Sequence, residues 1–243
     1  MSVIKANLLV SPQELFTSST TQGTDIGAYA TTGDGRGFRY FYNGGVAAVV
    51  GKVYQGPAED ATNQSPAGGL AVSAAAIGAT QVTLTGSLTL AANLLAGGFM
   101  SVVITPGAGY TYKVKSNTAV SGAANCVVTL EDPILVALTT SSKVVFHLNP
   151  YNGCVVAPTT LTAAPVGVAI AATPINNYGW MQTHGPATCL LTGTFATAGL
   201  AVGVLVGGTA GSLAPAIAGT NVLGYTMGIG ATGEYDAVFL TID

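Results

Sequence analysis

The chain has 243 residues, of which 49% are apolar and only 7% are charged, and its net charge at pH 7 is −3. This balance excludes intrinsic disorder, which requires low hydrophobicity and high net charge. The few lysines and arginines are scattered, so we expect no nucleic-acid partner, since such partners require a basic patch. We expect no membrane partner either, because glycine, proline, asparagine and threonine interrupt the apolar stretches before they reach the length of a membrane span.

Residues 1–37 are predicted to form an extended N-terminal arm. Ser11, Pro12 and Glu14 occupy N-cap, N1 and N3 positions, which predicts one helical turn with a capping box. The arm begins with five apolar residues, Val3, Ile4, Leu8, Leu9 and Val10. We expect these residues to bind a partner by adding a strand to the edge of a neighbouring sheet. An arm that folds back on its own domain is the alternative.

Strands are predicted from Phe38 onward. Aromatic residues are frequent in 38–43, and Gly44-Gly45 predicts a hairpin that leads into a second strand over 46–54. Glycine, proline and polar residues predict a loop over 56–69. A weak echo between 45–53 and 199–206 indicates that residues 38–66 belong with the C-terminal half of the chain. The alternative is a chance similarity between two segments of a chain rich in glycine, alanine and valine.

Residues 67–148 are predicted to form an inserted β domain. Gln81–Thr85 and Tyr110–Ser116 alternate between apolar and polar residues, as half-buried strands do. Further short strands separated by turns predict a sandwich or barrel. Alanine and leucine favour short helical turns over 71–76 and 88–96.

Residues 149–243, with 38–66, are predicted to form the other β-barrel or sandwich domain. Strands are expected at 167–170, 179–183, 187–191, 201–206, 222–227 and 237–242. The predicted fold class is therefore all-β, with two small β-sandwich or barrel domains and an extended N-terminal arm.

The three cysteines, Cys126, Cys154 and Cys189, are predicted to be free thiols. Their number is odd and their spacing fits neither a disulfide framework nor a zinc site. Cys126 and Cys154 lie among valines, where cysteine acts as a small buried hydrophobe. This usage is typical of folding in a reducing cytoplasm.

Several sequence features resemble catalytic or cofactor-binding motifs, but the chain around them lacks the elements or partner residues that those functions require. The run Gly228-Ile-Gly-Ala-Thr-Gly matches a dinucleotide-binding motif, but too little chain follows for the required helix and strand, so a hairpin turn is expected. His184 and Cys189 have no acid placed to orient them as a nucleophilic pair. We therefore predict no enzyme, no catalytic residues, no cofactor and no transition-metal site.

Three further features have a structural interpretation. Trp180 lies between strand residues and is expected in the core. His147 is expected to be an ordinary strand histidine. The acid pairs Glu59-Asp60 and Glu131-Asp132 are expected in solvated loops, with a weak calcium site left open.

Several segments resemble small β-barrel modules of tailed-bacteriophage virion proteins. The segments are Gly179-Trp-Met-Gln-Thr-His-Gly-Pro-Ala, Gly199-Leu-Ala-Val-Gly, Val222-Leu-Gly-Tyr-Thr and Ala237-Val-Phe-Leu. Leu130–Pro158 is also similar to phage structural proteins. The resemblance covers most of residues 38–243, and the arm before Phe38 has no counterpart in it.

The resemblance implies a capsid decoration or cement protein. Such a protein binds the major capsid protein on the outer capsid surface of the virion, is assembled in the host cytoplasm and is commonly a homotrimer. The low charge agrees with self-association, because a monomer would expose much neutral surface. The alternative functions are a phage tail or fibre component that binds a host surface glycan and, less in keeping with the sequence, a hydrolase.

Overall fold

The protein is almost entirely β-structure, as predicted. A computed structural model describes residues 8–204, 208–218 and 220–243. In chain order its elements are β1 (Leu8–Leu9), α1 (Pro12–Leu15), β2 (Tyr29–Thr31), β3 (Gly37–Asn43), β4 (Val53–Gln55), β5 (Leu70–Val72), β6 (Gln81–Thr85), β7 (Leu88–Leu90), β8 (Phe99–Ile104), β9 (Thr111–Asn117), β10 (Val120–Gly122), β11 (Cys126–Leu130), β12 (Lys143–His147), β13 (Asn152–Val156), β14 (Pro165–Ala169), β15 (Tyr178–Leu190), β16 (Ala201–Gly203), β17 (Ala214–Pro215), β18 (Gly224–Thr226) and β19 (Tyr235–Thr241).

The chain divides into two compact units. The first contains Met1–Pro57 and Pro150–Asp243, and the second contains Ala58–Asn149. The second unit is therefore inserted in the sequence of the first. Its residues, 58–149, extend beyond the expected 67–148 at both ends. The described part of the expected arm, residues 8–37, belongs to the first unit rather than forming a segment of its own.

The second unit is a closed six-stranded barrel with the strand order β11-β6-β5-β12-β8-β9. Along β9, Tyr112 and Val114 are buried, whereas Thr111, Lys113 and Lys115 are exposed, as the alternation of that segment predicts. Buried side chains from the strands form one apolar cluster, which includes Phe146, Leu84 and Met100. β7 and β10 form a separate two-stranded sheet. The helical turn expected over 71–76 is wrong, since that segment contains part of β5. In the segment 88–96, β7 occupies the first three residues and hydrogen-bonded turns follow it from residue 92.

The first half of unit 1 is a closed cycle of paired strands. β3 pairs with β13 on one edge and with β15 on the other, and β13, β4, β14 and β15 are neighbours in that order. One apolar cluster contains Phe41, Tyr54 and Met181. A second cluster contains Phe38, Tyr40 and Trp180. Because successive residues of β3 point to opposite faces, this strand contributes to both cores.

The second half of unit 1 is built on the C-terminal part of β15. This 13-residue strand leaves β3 at His184 and pairs with β19 from His184 to Leu190. β18, β16 and β17 follow β19 in the sheet. Residues 179–183 and 187–191, expected as separate pieces, thus belong to one strand up to Leu190. Gly185 lies between them with a φ of 83°, a conformation that favours glycine.

The described part of the N-terminal segment packs on its own unit. The capping box is confirmed: Ser11 accepts a hydrogen bond from the Glu14 backbone, and the Glu14 side chain accepts one from the Ser11 backbone. Leu15 and Ala30 are fully buried in the cluster with Phe38. β1 pairs in parallel with β2, and β2 pairs with β3.

The predicted hairpin of 38–43 with 46–54 is wrong. Residues 44–52 form a loop, and β4 pairs with β13 and β14 rather than with β3. The glycines serve close packing instead: a Cβ on Gly44 would lie 2.7 Å from the Gly153 Cα. The buried Asn43 side chain then holds the loop, as described below.

Candidate binding surfaces

Four aromatic side chains form a cluster where β3 and β15 pair. Trp180 lies opposite Tyr40 in the strand register, and Tyr178 lies opposite Tyr42. The ring centroids of Tyr40 and Trp180 are 5.0 Å apart with an edge-to-face angle of 63°. Those of Tyr42 and Tyr178 are also 5.0 Å apart. The period of two along each strand places the four rings on one face.

An open pocket of about 340 Å³ lies between this cluster and the N-terminal segment. Tyr40, Tyr178 and Trp180 form its aromatic wall. The opposite wall and rim come from the N-terminal segment: Val10, Glu14, Thr17, Ser19, Gly23 and Thr24. The volume is in the range of small-molecule sites.

Backbone hydrogen bonds hold the two walls of the pocket together. Ser19 and Tyr178 form an antiparallel bridge, with N–O distances of 3.0 and 2.8 Å. The Gly23 N–H donates to the Tyr40 hydroxyl at 2.9 Å. The pocket is therefore part of the folded unit rather than a gap beside a loose tail.

The pocket has one charged group, the carboxylate of Glu14. Hydrogen bonds from the backbone and side chain of Ser11 lower the pKa of Glu14, so this carboxylate is ionised at neutral pH. Both of these bonds go to Oε2, at 3.0 and 2.9 Å. They fix the orientation of the carboxylate at the rim.

A second surface is the outer face of the sheet in the C-terminal half. Phe239 of β19 lies opposite Pro186 of β15 and Tyr225 of β18, and Tyr225 lies opposite Ala201 of β16. These residues form one row across four strands, and Phe239 and Tyr225 are 38% and 46% exposed. Met227, beside this row, is exposed as well. None of the side chains in the row is charged, and the polar residues Thr188, Thr241 and His184 lie beside it on the same face. Water therefore covers an apolar row within a partly polar sheet face.

A third apolar surface is the loop over 46–50. Val46, Val49 and Val50 are exposed, and Val46 is 72% exposed. The fully buried Asn43 fixes the loop. The two N–H groups of its Nδ2 are shared among the carbonyl oxygens of Val46, Thr173 and Pro174, at 2.9, 2.8 and 3.1 Å.

Five residues were predicted to bind a partner. Those that the structure describes contact residues of their own unit. Val3 and Ile4 lie outside the described residues. Leu8 and Leu9 form β1, which pairs with Ala30 and Thr31 of β2. Val10 packs against the cluster with Leu15 and Phe38. This arrangement corresponds to the alternative of an arm that folds back on its own domain.

The candidate nucleophilic pair does not form. Cys189 is fully buried on β15, and burial raises the pKa of its thiol to about 12. The thiol therefore stays protonated at neutral pH, and a neutral thiol is a poor nucleophile. His184 Nδ1 lies 3.2 Å from the Asp243 backbone oxygen, and its ring packs edge-to-face on Phe239. Cys126, Cys154 and Cys189 are all free and buried, as predicted.

The remaining titratable candidates have local partners. His147 Nδ1 lies 3.0 Å from the Glu59 Oε1 in an exposed pair. The Asp60 carboxylate accepts hydrogen bonds from the backbone of Thr62 and Asn63, which closes a turn. Among the described residues, no group of three or more His, Cys, Asp or Glu side chains is arranged to hold a metal ion.

Gly228–Gly233 lies in the connection between the antiparallel strands β18 and β19, as the hairpin prediction requires. Within the described ranges, no helix has the length and apolarity needed to cross a membrane. Comparison with known protein families, with curated proteins and with solved structures gave no match to this chain.

The sequence interpretation missed the pocket and placed Trp180 only in the core. Trp180 is indeed 8% exposed, but its ring also forms part of the pocket wall. The available signal was the aromatic residues at alternate positions in two strands, Tyr40 with Tyr42 and Tyr178 with Trp180. Their pairing, and the N-terminal segment that completes the pocket, are tertiary features.

Proposed function

We propose that this protein is a non-enzymatic structural protein of a phage particle, which binds the outer surface of the capsid and stabilises it as a decoration or cement protein. The resemblance of segments within 38–243 to phage virion modules supports the proposal that the protein is part of a phage particle. The apolar row Pro186, Phe239, Tyr225 and Ala201 supports a role in packing, and it is the observation that carries the proposal. In a soluble monomer, the side chains on the solvent-facing side of such a sheet are ordinarily polar.

We propose that this row is the contact with further copies of the chain in a homotrimer, and that the assembled protein sits on the major capsid protein. Residues Val144–Gly233 contain no Asp, Glu, Lys or Arg. Pro186, Ala201 and Tyr225 come from this stretch, and Phe239 is the one residue of the row outside it. An interface built on the row therefore loses little free energy to the removal of charges from water. The loop with Val46 is a further apolar contact for the capsid surface.

Light scattering of the purified chain tests the assembly. The wild-type protein is expected to be an oligomer, and Tyr225→Glu is expected to shift it to monomer, because the charge would be buried in the contact. Thr111→Glu is the matched control, since Thr111 is an exposed strand residue of the other unit. A wild-type monomer, or a Tyr225→Glu protein with unchanged mass, would contradict the contact.

The copy number in purified particles tests the location. Many copies per particle are expected for a capsid surface protein. A few copies would contradict the capsid role and favour a tail or fibre component.

A further inference from the structure

We propose that the pocket between the N-terminal segment and the β3–β15 pair is a binding site for a saccharide, with one pyranose ring stacked on Tyr178. This site is distinct from the apolar row through Tyr225, and the inference does not depend on the capsid location. It rests on the form of the aromatic wall, the polar rim and the fixed geometry of the pocket.

The aromatic wall offers one main ring to a ligand. Tyr40 and Trp180 pack edge-to-face on each other and are only 6% and 8% exposed. Tyr178 is more exposed, and its ring lies nearly parallel to that of Tyr40, at 6° and 6.0 Å. Tyr42 packs against the ring of Tyr178 and donates its hydroxyl to the Asn176 side chain at 3.0 Å. A flat ring held in this way suits the apolar C–H face of a sugar.

The rim supplies hydrogen-bonding groups of both kinds. The Glu14 carboxylate is an acceptor whose Oε2 is bound to Ser11. The Ser19 hydroxyl accepts from the Thr21 backbone, so its own O–H is left to donate. The Thr17 hydroxyl donates to the Glu14 carbonyl and keeps acceptor capacity. A rim that offers both donors and acceptors suits the hydroxyl groups of a saccharide.

The groups of the pocket are positioned before any ligand arrives. The capping box orients Glu14, the Ser19–Tyr178 bridge fixes both walls, and the Tyr40 hydroxyl is bound to the Gly23 backbone. Preorganisation of this kind reduces the entropy lost on binding. Sugars bind proteins through many weak contacts, so this reduction matters for their affinity.

A small organic cation is the competing ligand, because aromatic rings and a carboxylate also bind ammonium groups. A cation cage requires several open ring faces around one centre. Here Tyr40 and Trp180 pack edge-to-face and are nearly buried. Tyr178, which packs beside Tyr40 and Tyr42, is partly exposed and is the most accessible ring of the wall. The geometry therefore favours a neutral stacked ring over a caged cation.

Trp180 is the only tryptophan of the chain, so its fluorescence reports on the pocket directly. The experiment titrates the full chain with methyl glycosides of common hexoses and N-acetylhexosamines, and with lactose, maltose and diacetylchitobiose. Choline and trimethyllysine are titrated in parallel. At least one saccharide is expected to give a saturable change in emission, and the two cations are expected to give none.

Variants assign the binding to the pocket. Tyr178→Ala is expected to weaken binding about fivefold to tenfold, the value of one stacking contact. Tyr178→Phe keeps the ring and is expected to bind nearly as well as wild type. Tyr178→Leu fills the volume without an aromatic face and replaces Tyr178→Ala if that variant fails to fold. Tyr110→Ala, at an exposed tyrosine of the other unit, is the control and is expected to bind as wild type.

Glu14→Gln separates the two ligand classes, because glutamine also forms a capping box but carries no charge. Saccharide binding is expected to fall only a few-fold, whereas binding of a cation would be lost.

Several results would overturn the proposal. They are the absence of a saturable response to every saccharide, a response that Tyr178→Leu leaves intact, and a response to the cations alone. A Trp180 emission that changes with protein concentration, and not with added saccharide, would mean that a second copy of the chain fills the pocket. A failed saccharide titration with an unchanged oligomer would reject this site and leave the proposed assembly standing.

Discussion

Replacing Asn43 by alanine is expected to destabilise unit 1 strongly. The side chain is fully buried, and the two N–H groups of its Nδ2 are shared among three carbonyl oxygens. Its Oδ1 accepts from the Gly45 N–H at 3.2 Å. A hydrogen bond contributes about 1 kcal/mol net, and a stranded buried partner costs more. Because the Thr173 carbonyl keeps a bond from Ala48 N–H, part of the loss is compensated. We therefore expect the free energy of unfolding of unit 1 to fall by about 3 kcal/mol.

Urea unfolding followed by Trp180 fluorescence measures this loss, since Trp180 lies in unit 1 and is the only tryptophan. A probe confined to one unit is needed because a chain of two units need not unfold in a single two-state step. Asn221→Ala is the control, at an exposed asparagine, and is expected to change the free energy by less than about 0.5 kcal/mol. A loss below about 1 kcal/mol for Asn43→Ala would refute the reasoning.

Three further predictions follow from buried groups. Asn117→Ala should destabilise unit 2 by a similar amount, because Asn117 Nδ2 donates to the Ala91 and Thr118 carbonyls and its Oδ1 accepts from Leu95 N–H. Amide hydrogen exchange of residues 58–149 under native conditions measures this loss in unit 2 alone. The native protein should react slowly with a thiol reagent and the denatured protein should titrate three thiols, since all three cysteines are buried and burial raises the pKa of Cys154 and Cys189; fewer than three would mean a disulfide. Burial raises the pKa of Tyr151 to about 12 from its usual 10. The unfolded state therefore loses this proton first, and the free energy of unfolding should fall as pH rises from 10 to 12. Tyr151→Phe should reduce that fall, and an alkaline transition that the variant leaves unchanged would contradict the prediction.

The sequence predicted those features that depend on local pattern. Period-two alternation identified strands such as β6 and β9, and residue types alone identified the capping box of Ser11 and Glu14. An inserted unit was inferred from an echo between 45–53 and 199–206. The echo itself was misleading, because the first segment is largely a loop while the second contains β16.

The features that the sequence did not predict depend on contacts between distant residues. The valine-rich run after Gly45 has strand composition, but Asn43 binds the Val46 carbonyl and the backbone at 173–174, which turns the chain away from β3. The pocket likewise depends on the Ser19–Tyr178 bridge between residues far apart in the chain. Composition indicates that such residues can be buried or exposed, and only tertiary packing decides between the two.

The charges of unit 1 bear on how the protein associates. Both arginines pair with aspartates of the same unit: Arg36 Nε lies 2.9 Å from Asp34, and Arg39 Nε lies 2.8 Å from Asp243. Arg39 also donates to the Gly27 carbonyl, so its guanidinium is committed within the fold. The row of Pro186, Phe239, Tyr225 and Ala201 has no charged side chain of its own. An association through this row would therefore depend on apolar burial rather than on ion pairs.

Such an association should respond to temperature more than to salt. Ion pairs between exposed charges weaken as salt screens them, whereas apolar burial weakens on cooling. We expect the oligomer dissociation constant, measured by analytical ultracentrifugation, to stay nearly constant from about 0.05 to 0.5 M salt and to rise on cooling toward the freezing point. Tyr225→Phe keeps the apolar area and should preserve this behaviour. A dissociation constant that rises steeply with salt would mean that charged groups hold the copies together, and the apolar row would lose its role as the contact.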